Sequence, residues 1–339
     1  MRRPTLRSAV PAATLALTLA LRSTAVAAQL PGLRGTLIVT NKTPSTATII
    51  DVETGRALAT LPTGPGPHEI ALSSTGRTAV VTDYGGPGAR NTLTVLDVPS
   101  ATVTRTISLG AYRAPHGIVF LPGDSLVAVT SEATAQVVIV QVAEGVVRRA
   151  IPTTQAGSHM VGVTADGATG FTGNMSAHTV SQLDLRAGAF VKTFTVPNTP
   201  EAINVTPDGR EVWVGSNAQH RVSVLDPNTG AVTMVADSVD WPYRVLFTPD
   251  AKTVLIPDMN RHQLRFIDRV SRTELARLTF DGGGPQGIAM SPDGRYAFVS
   301  LSKQARVAVI DVRARAVAGY LPTGETPDGV VYSSVVYRR

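Results

Sequence analysis

The chain has 339 residues, with 31 Lys and Arg against 25 Asp and Glu, a formal net charge of +6, and no cysteine. The absence of cysteine excludes a disulfide framework, a thiolate metal centre, a C-x-x-C-H haem attachment and an acylated lipobox. Arg2, Arg3, Arg7 and Arg22 lie in the first 28 residues, which hold no acid, so the remainder carries 6 − 4 = +2, too balanced to imply a phosphate-tracking surface or a nucleic-acid partner.

Those first residues have their own pattern. MRRPTLR is basic, Ser8 to Leu21 is apolar, and Ala25 to Ala28 are small. Residues 1–28 are therefore expected to be a cleavable signal peptide, leaving 29–339 as one periplasmic or secreted domain. The apolar run falls short of a bilayer span and no second run follows it, so no membrane anchor is expected. The Sec and twin-arginine routes both remain open, because Thr5 stands where a twin-arginine signal carries an aromatic residue.

After this leader the chain repeats. Anchors at Pro67, Pro115, Ser158, Pro200, Pro242, Pro285 and Pro327 are spaced 48, 43, 42, 42, 43 and 42 residues apart. Each opens a short apolar run (EIALS, GIVFL, MVGVT, AINVT, RVLFT, GIAMS, GVVYS), then a turn such as TPDGR or SPDGR. A second run follows, then a third usually ending in Asp, then a fourth. Runs of four to eight residues rich in Val, Ile and Thr, bounded by Gly, Pro, Asp and Asn, read as strands joined by tight hairpins. No sustained 3.6-residue apolar period appears, so helix should be scarce. Four strands per unit of roughly 42 residues is the arithmetic of a β-propeller blade.

The two ends of the repeat fit each other. Gly35 to Gly64 supplies the last three strands of a unit, and Pro327 to Tyr337 supplies a first strand. The expected fold is an all-β, seven-bladed propeller with four antiparallel strands per blade, one blade being closed by strands from both termini and no edge left open. The second unit departs most from the pattern, with LPGDS at its turn and QVAEG after its third strand.

VTN, VSVLDPNTGAV, TPDGREVWV and SPDGRYAFV resemble the YVTN-type β-propeller repeat of the YncE-like proteins over nearly the whole chain after the leader. That resemblance implies an exported or surface-associated propeller, and fold alone does not give activity. It also implies that the first strand of each blade lines the central channel. The residues after the anchors then form a collar at one mouth: His68, His116, His159, Glu201, Tyr243, Gln286 and Asp328, with Glu69 and Arg244 beside them. Asn41, Asp83, Asn174, Asn217 and Asp258, at the ends of second strands, are expected further out at the same mouth.

His68, His116 and His159 occupy one repeat position in three consecutive blades, and three imidazoles with a carboxylate suit a divalent transition metal. Glu69, Glu201 or Asp83 could orient the rings or complete the shell. His178, His220 and His262 form a second trio, 42 apart, in loops on the same face. The Asp residues ending third strands (Asp51, Asp97, Asp184, Asp226, Asp268, Asp311) are assigned to turn hydrogen bonds. Trp213 is assigned to the core and Trp241 to the mouth. The loop DYGGPGARN, Asp83 to Asn91, gives the first unit its extra length beside His68.

Two functions remain open. One is a monomeric scaffold that binds a small molecule or a protein through the polar mouth, with Asp83 and the collar as ligand contacts. The other is a lactone or ester hydrolase. DYGGPG after PHEIALSSTGR is similar to the lactonases of the 6-phosphogluconolactonase type, which implies His68 as general base, Arg244 holding an anionic substrate and Glu69 or Glu201 orienting the base. A metal-dependent variant would resemble gluconolactonase propellers, and haem d1 propellers offer a third, redox precedent. No Ser elbow or Cys nucleophile is present.

Overall fold

The computed structural model describes residue 30, residues 32–85 and residues 90–337. The expected leader and residues 86–89 of the first long loop lie outside them. Seven four-stranded antiparallel sheets surround a central channel. The inner strands are Pro67–Leu72, Pro115–Phe120, Ser158–Val163, Pro200–Val205, Leu246–Phe247, Pro285–Met290 and Pro327–Ser333, and we number blades 1 to 7 in that order. Among the described residues the one helical element is a 3₁₀ turn, Glu132–Thr134, and no helix is long and apolar enough to cross a membrane.

Blade 7 is the composite one. Its sheet order is Pro327–Ser333, Thr36–Asn41, Thr46–Asp51, Arg56–Pro62. Val330 faces Val39 and Val331 faces Ile38 in register, and the Thr36 hydroxyl donates to the Val335 carbonyl at 2.7 Å. Neighbouring blades pack through alternate apolar residues of their middle strands, as a pleated sheet requires. Phe171 and Phe194 of blade 3, for example, share a cluster with Ile203, Val212 and Val214 of blade 4. Trp213 is fully buried, with its indole N–H donated to Glu211.

The turn assignments hold at all six Asp positions. Asp51, Asp97, Asp184, Asp226, Asp268 and Asp311 each accept a backbone N–H two or three residues on. On the same face, the hydroxyls of Thr206, Thr248 and Ser291 donate to Asp208, Asp250 and Asp293, closing the recurring PDG-type turns.

One irregularity prepares the site. Just after the anchor, the pairing of first and second strands slips, between Pro67 and Ile70, Pro115 and Ile118, Ser158 and Val161, and Pro285 and Ile288. A bulge of this kind re-aims side chains, and it releases the two residues after each anchor from the regular ladder. In blade 5 the break is larger: Pro242 keeps only an isolated bridge to Asp258, and the named strand begins at Leu246.

Candidate functional site: the collar of the central channel

The slip turns His68, His116, His159, Glu201, Tyr243, Gln286 and Asp328 towards one end of the channel, where all but the half-buried His68 are at most 8% exposed. Most of these groups are already spoken for. His159 donates Nδ1–H to Glu132 at 2.9 Å and Nε2–H to Glu201 at 3.3 Å. Burial alone would lower its pKa, but Glu201 and Glu132 outweigh burial and push it up to about 9. His159 is thus an imidazolium clamped between two carboxylates. Glu201, which burial would raise, is held low by His159 and Arg244.

His116 stacks on His159 with ring centroids 3.6 Å apart. Burial, then the charge on His159, hold His116 well below the usual imidazole range. His68 donates Nδ1–H to the Gly66 carbonyl at 2.9 Å, which leaves Nε2 as its lone-pair nitrogen. Burial also lowers His68, and its ring packs against Tyr84 and His116 at 4.6 and 5.2 Å.

Across the channel, Arg244 of blade 5 meets Glu69 of blade 1 through both Nε and Nη2, and its Nη1 reaches the Tyr243 carbonyl and lies 3.6 Å from Glu201. Burial pushes Glu69 upward while Arg244 pulls it back, and the two-on-two geometry is that of a guanidinium and a carboxylate. The crossing is possible because Gly117, Gly287 and Gly329 occupy this level in other blades. A Cβ at Gly287 would collide with the Asp328 carbonyl, and one at Gly329 with that of His68. The inner strands therefore approach closely there, and two long side chains fill the middle. Tyr243 adds a second crossing, donating its hydroxyl to Asp328 at 3.1 Å, with Lys42 on the same carboxylate oxygen at 3.1 Å. Burial would raise Asp328, but Lys42, His68 and Arg244 hold it low.

Several expectations need correction. The transition-metal centre on His68, His116 and His159 does not fit the side chains present. His159 spends both nitrogens as donors, His116 lies flat against it, and among the described residues no group of three or more His, Asp or Glu is disposed to hold a metal ion. Asp83 is not a ligand contact at the mouth. It is fully buried, accepting the Gly64 N–H at 3.0 Å and the Thr92 and Thr94 hydroxyls, and so pins the incoming crossover to blade 1. Asn41 pins Gly324 in blade 7 in the same way, and Asp258 holds the backbone of Asp240 and Trp241. Glu69 does not orient His68; the Gly66 carbonyl does.

The second histidine trio has a backbone role. His178, His220 and His262 all have φ between 51° and 58°, a left-handed setting that His tolerates better than most residues. His178 and His262 accept the backbone N–H of Thr199 and Gly284, and His220 donates to the Asp240 carbonyl, so each ties down the crossover into the next blade. Trp241 is half-buried beside the anchor of blade 5, with its indole N–H unpartnered.

The sequence also hid a second ring. In strand two the pinning residue points away from the channel, so the residue after it points in. Lys42, Tyr84, Glu132, Asn217 and Met259 thereby join the collar, contacting Asp328, His68, His159, Glu201 and Gln286 respectively. Asn217 belongs to this ring, because Ser216, paired with Pro200, holds the pinning position in blade 4. Strand alternation combined with the anchor register was the signal that could have found them.

Fold and collar together define a seven-bladed propeller with buried ionisable groups neutralised against one another at one end of its channel. Residues 148–326, more than half of the chain, match the choice-of-anchor I domain. The chain belongs to that family, which places it among extracellular or surface-associated propellers. No curated protein matches it. Among solved structures it is similar to hydrazine synthase of Kuenenia stuttgartiensis, with 18% identity, TM-score 0.69, and 80% of this chain and 90% of that one covered. It is also similar to a functionally unknown protein of Desulfotomaculum acetoxidans, with 15% identity, TM-score 0.73, and 88% and 99% covered. At these identities the likeness extends to the fold.

Proposed function

We propose that the chain is an exported, monomeric binding propeller, with residues 1–28 as its signal peptide, that takes a small polar ligand at the collar without transforming it. The observation that carries this reading is a set of unanswered acceptors. Asn217 Oδ1, Gln286 Oε1 and Asp328 Oδ1 are all buried and have no hydrogen-bond partner. The amide orientations are fixed by their other ends: Asn217 Nδ2 donates to Glu201 at 3.0 Å, and Gln286 Nε2 contacts the Met259 sulfur at 3.2 Å. Buried polar atoms are normally satisfied, so three bare oxygens call for a ligand that donates, a polyol or a small ammonium.

A hydrolase reading finds less support. Arg244 is committed to Glu69, Tyr243 and Glu201, which leaves no free guanidinium for an anionic substrate. His68 keeps its Nε2 free, and the buried Nδ1 of His116 has no hydrogen-bond partner, but neither has a carboxylate to orient it as a base.

Calorimetric titration with glucose, glucosamine and ethanolamine tests the binding reading against Gln286→Leu. The variant should lose at least tenfold in affinity for whichever probe binds. In the ligand-free protein it should be more stable by about 1 kcal/mol, because an orphaned acceptor has been removed. A destabilised variant with unchanged affinity would refute the reading.

A further inference from the structure

The Glu69–Arg244 crossing does more than tie two blades together. It divides the channel. On the far side from the collar lies a cavity of about 410 Å³, within the usual range for small-molecule sites, roughly 300–1,000 Å³. Its floor is the ion pair itself. Its wall is built from the middles of inner strands, including Ile118, Val119, Leu246, Ile288, Ala289 and Val331. Its rim is Leu72, Phe120, Met290 and Tyr332, the ends of the inner strands of blades 1, 2, 6 and 7, all half-buried. These ends lie on the face of the PDG-type turns, so the cavity opens opposite to the collar.

The chemistry of this funnel is unlike that of the collar. Between rim and floor its one polar side-chain group is the Tyr332 hydroxyl, and that is donated to the Arg34 carbonyl at 2.5 Å. The side chains of the wall are therefore apolar for its full depth, and its remaining polar groups are backbone N–H and C=O groups on the inner edges of the strands. At the floor, Arg244 and Glu69 carry opposite charges within hydrogen-bond contact, so neither a cation nor an anion gains a net Coulombic advantage over the other. A charged ligand would lose its hydration on the way in and find a pair already closed. A neutral molecule loses little, and its single donor or acceptor can use the second lone pair of a Glu69 oxygen or the remaining Nη2–H of Arg244.

We infer that this funnel is a second binding site, for a neutral, largely apolar small molecule with one hydrogen-bonding end, entering from the face opposite the collar. The inference is independent of the collar ligand, since none of the three unanswered acceptors lines the funnel.

The test uses N-phenyl-1-naphthylamine, a neutral apolar fluorophore with one N–H. The mature protein should enhance its emission saturably at one site, and 1-octanol should displace it. Ala289→Phe and Val119→Phe each place a ring in the cavity and should weaken binding at least tenfold. Their thermal unfolding midpoints show whether each still folds, and two positions on different blades guard against one failing to fold. The anionic relative 1-anilinonaphthalene-8-sulfonate should bind at least tenfold more weakly. Gln286→Leu, on the collar side, should leave the neutral probe unaffected. No saturable enhancement, or equal binding by both filled variants, would overturn the site. Equal or tighter binding of the sulfonate would overturn the ligand class.

Discussion

Replacing Asp83 with Asn should make the protein more stable, and only above a particular pH. Asp83 is sealed beneath the blade 1 crossover, and burial, against the pull of Thr92, Thr94 and Gly64, raises its pKa from 3.8 to about 6. A group whose folded pKa is raised costs nothing below its unfolded value. The penalty grows as pH climbs through the window from 3.8 to about 6 and is complete above it. At about 1.4 kcal/mol per pH unit, a rise of about two units costs about 3 kcal/mol.

The repeat itself shows that an amide fits the position. Asn41 accepts the Gly324 N–H at 3.0 Å and donates to Thr46 and Thr48; Asn174 donates to Thr179 and Ser181. In Asp83→Asn, the amide would accept from Gly64 and donate to Thr92 and Thr94. Urea denaturation midpoints of wild type and variant, at pH 8 and at pH 4, measure the difference. The variant should gain about 1–3 kcal/mol at pH 8 and close to nothing at pH 4. A variant destabilised equally at both pH values would show that the carboxylate is required, and would refute the reasoning.

Other perturbations test other joints. Arg244→Met should destabilise by about 3–5 kcal/mol, because Glu69 would remain buried without its partner. Glu69→Leu with Arg244→Met should recover much of that loss, and denaturation midpoints of the single and double variants decide it. His159, raised from 6.5 to about 9 by its two carboxylates, contributes stability that is full below pH 6.5 and lost as pH rises through 9. A melting temperature that stays flat across that window would count against the clamp. Deleting residues 327–339 removes the inner strand of blade 7, and the truncated chain should elute from a sizing column as aggregates rather than as a compact monomer.

What could be read in advance follows from how each feature is encoded. Strand number, blade number and the shared blade were legible because they repeat: seven anchors at near-constant spacing fix the period, and the halves at Gly35 and Pro327 complete each other. The first ring of the collar, the residues after the anchors, was legible for the same reason. Its state was not. Whether His159 is a metal ligand or an imidazolium depends on Glu132, which lies in a strand-two loop of another blade and enters the ring one residue after the position expected to do so. Asp83 was misplaced by that same single step, since moving one residue along a strand reverses the side chain. The funnel escaped notice because its walls are the ordinary apolar residues of inner strands. It is closed off from the collar because Glu69 and Arg244 meet across a channel whose inner strands three glycines allow to approach closely.

The shared blade has a further consequence, for the order in which the molecule can be assembled. Blades 1 to 6 are each local, built from about forty consecutive residues, and can pair as soon as their own strands exist. Blade 7 must wait for residues 327–333 to return to residues 36–41, a closure over nearly the whole chain. Until then the protein is an arc with two uncovered flanks: Ile70, Ala79, Val81 and Leu96 at one end, and Tyr296, Phe298, Val307 and Val309 at the other. Blade 7 covers both at once, with Ile38, Ala47 and Ile49 against the first and Leu37, Val39 and Ile50 against the second. Long-range closure of this kind is slow and leaves apolar surface exposed in the meantime. The clasp that makes the finished ring durable is therefore also its most vulnerable moment, because every open arc carries two complementary ends that can find another arc before they find each other.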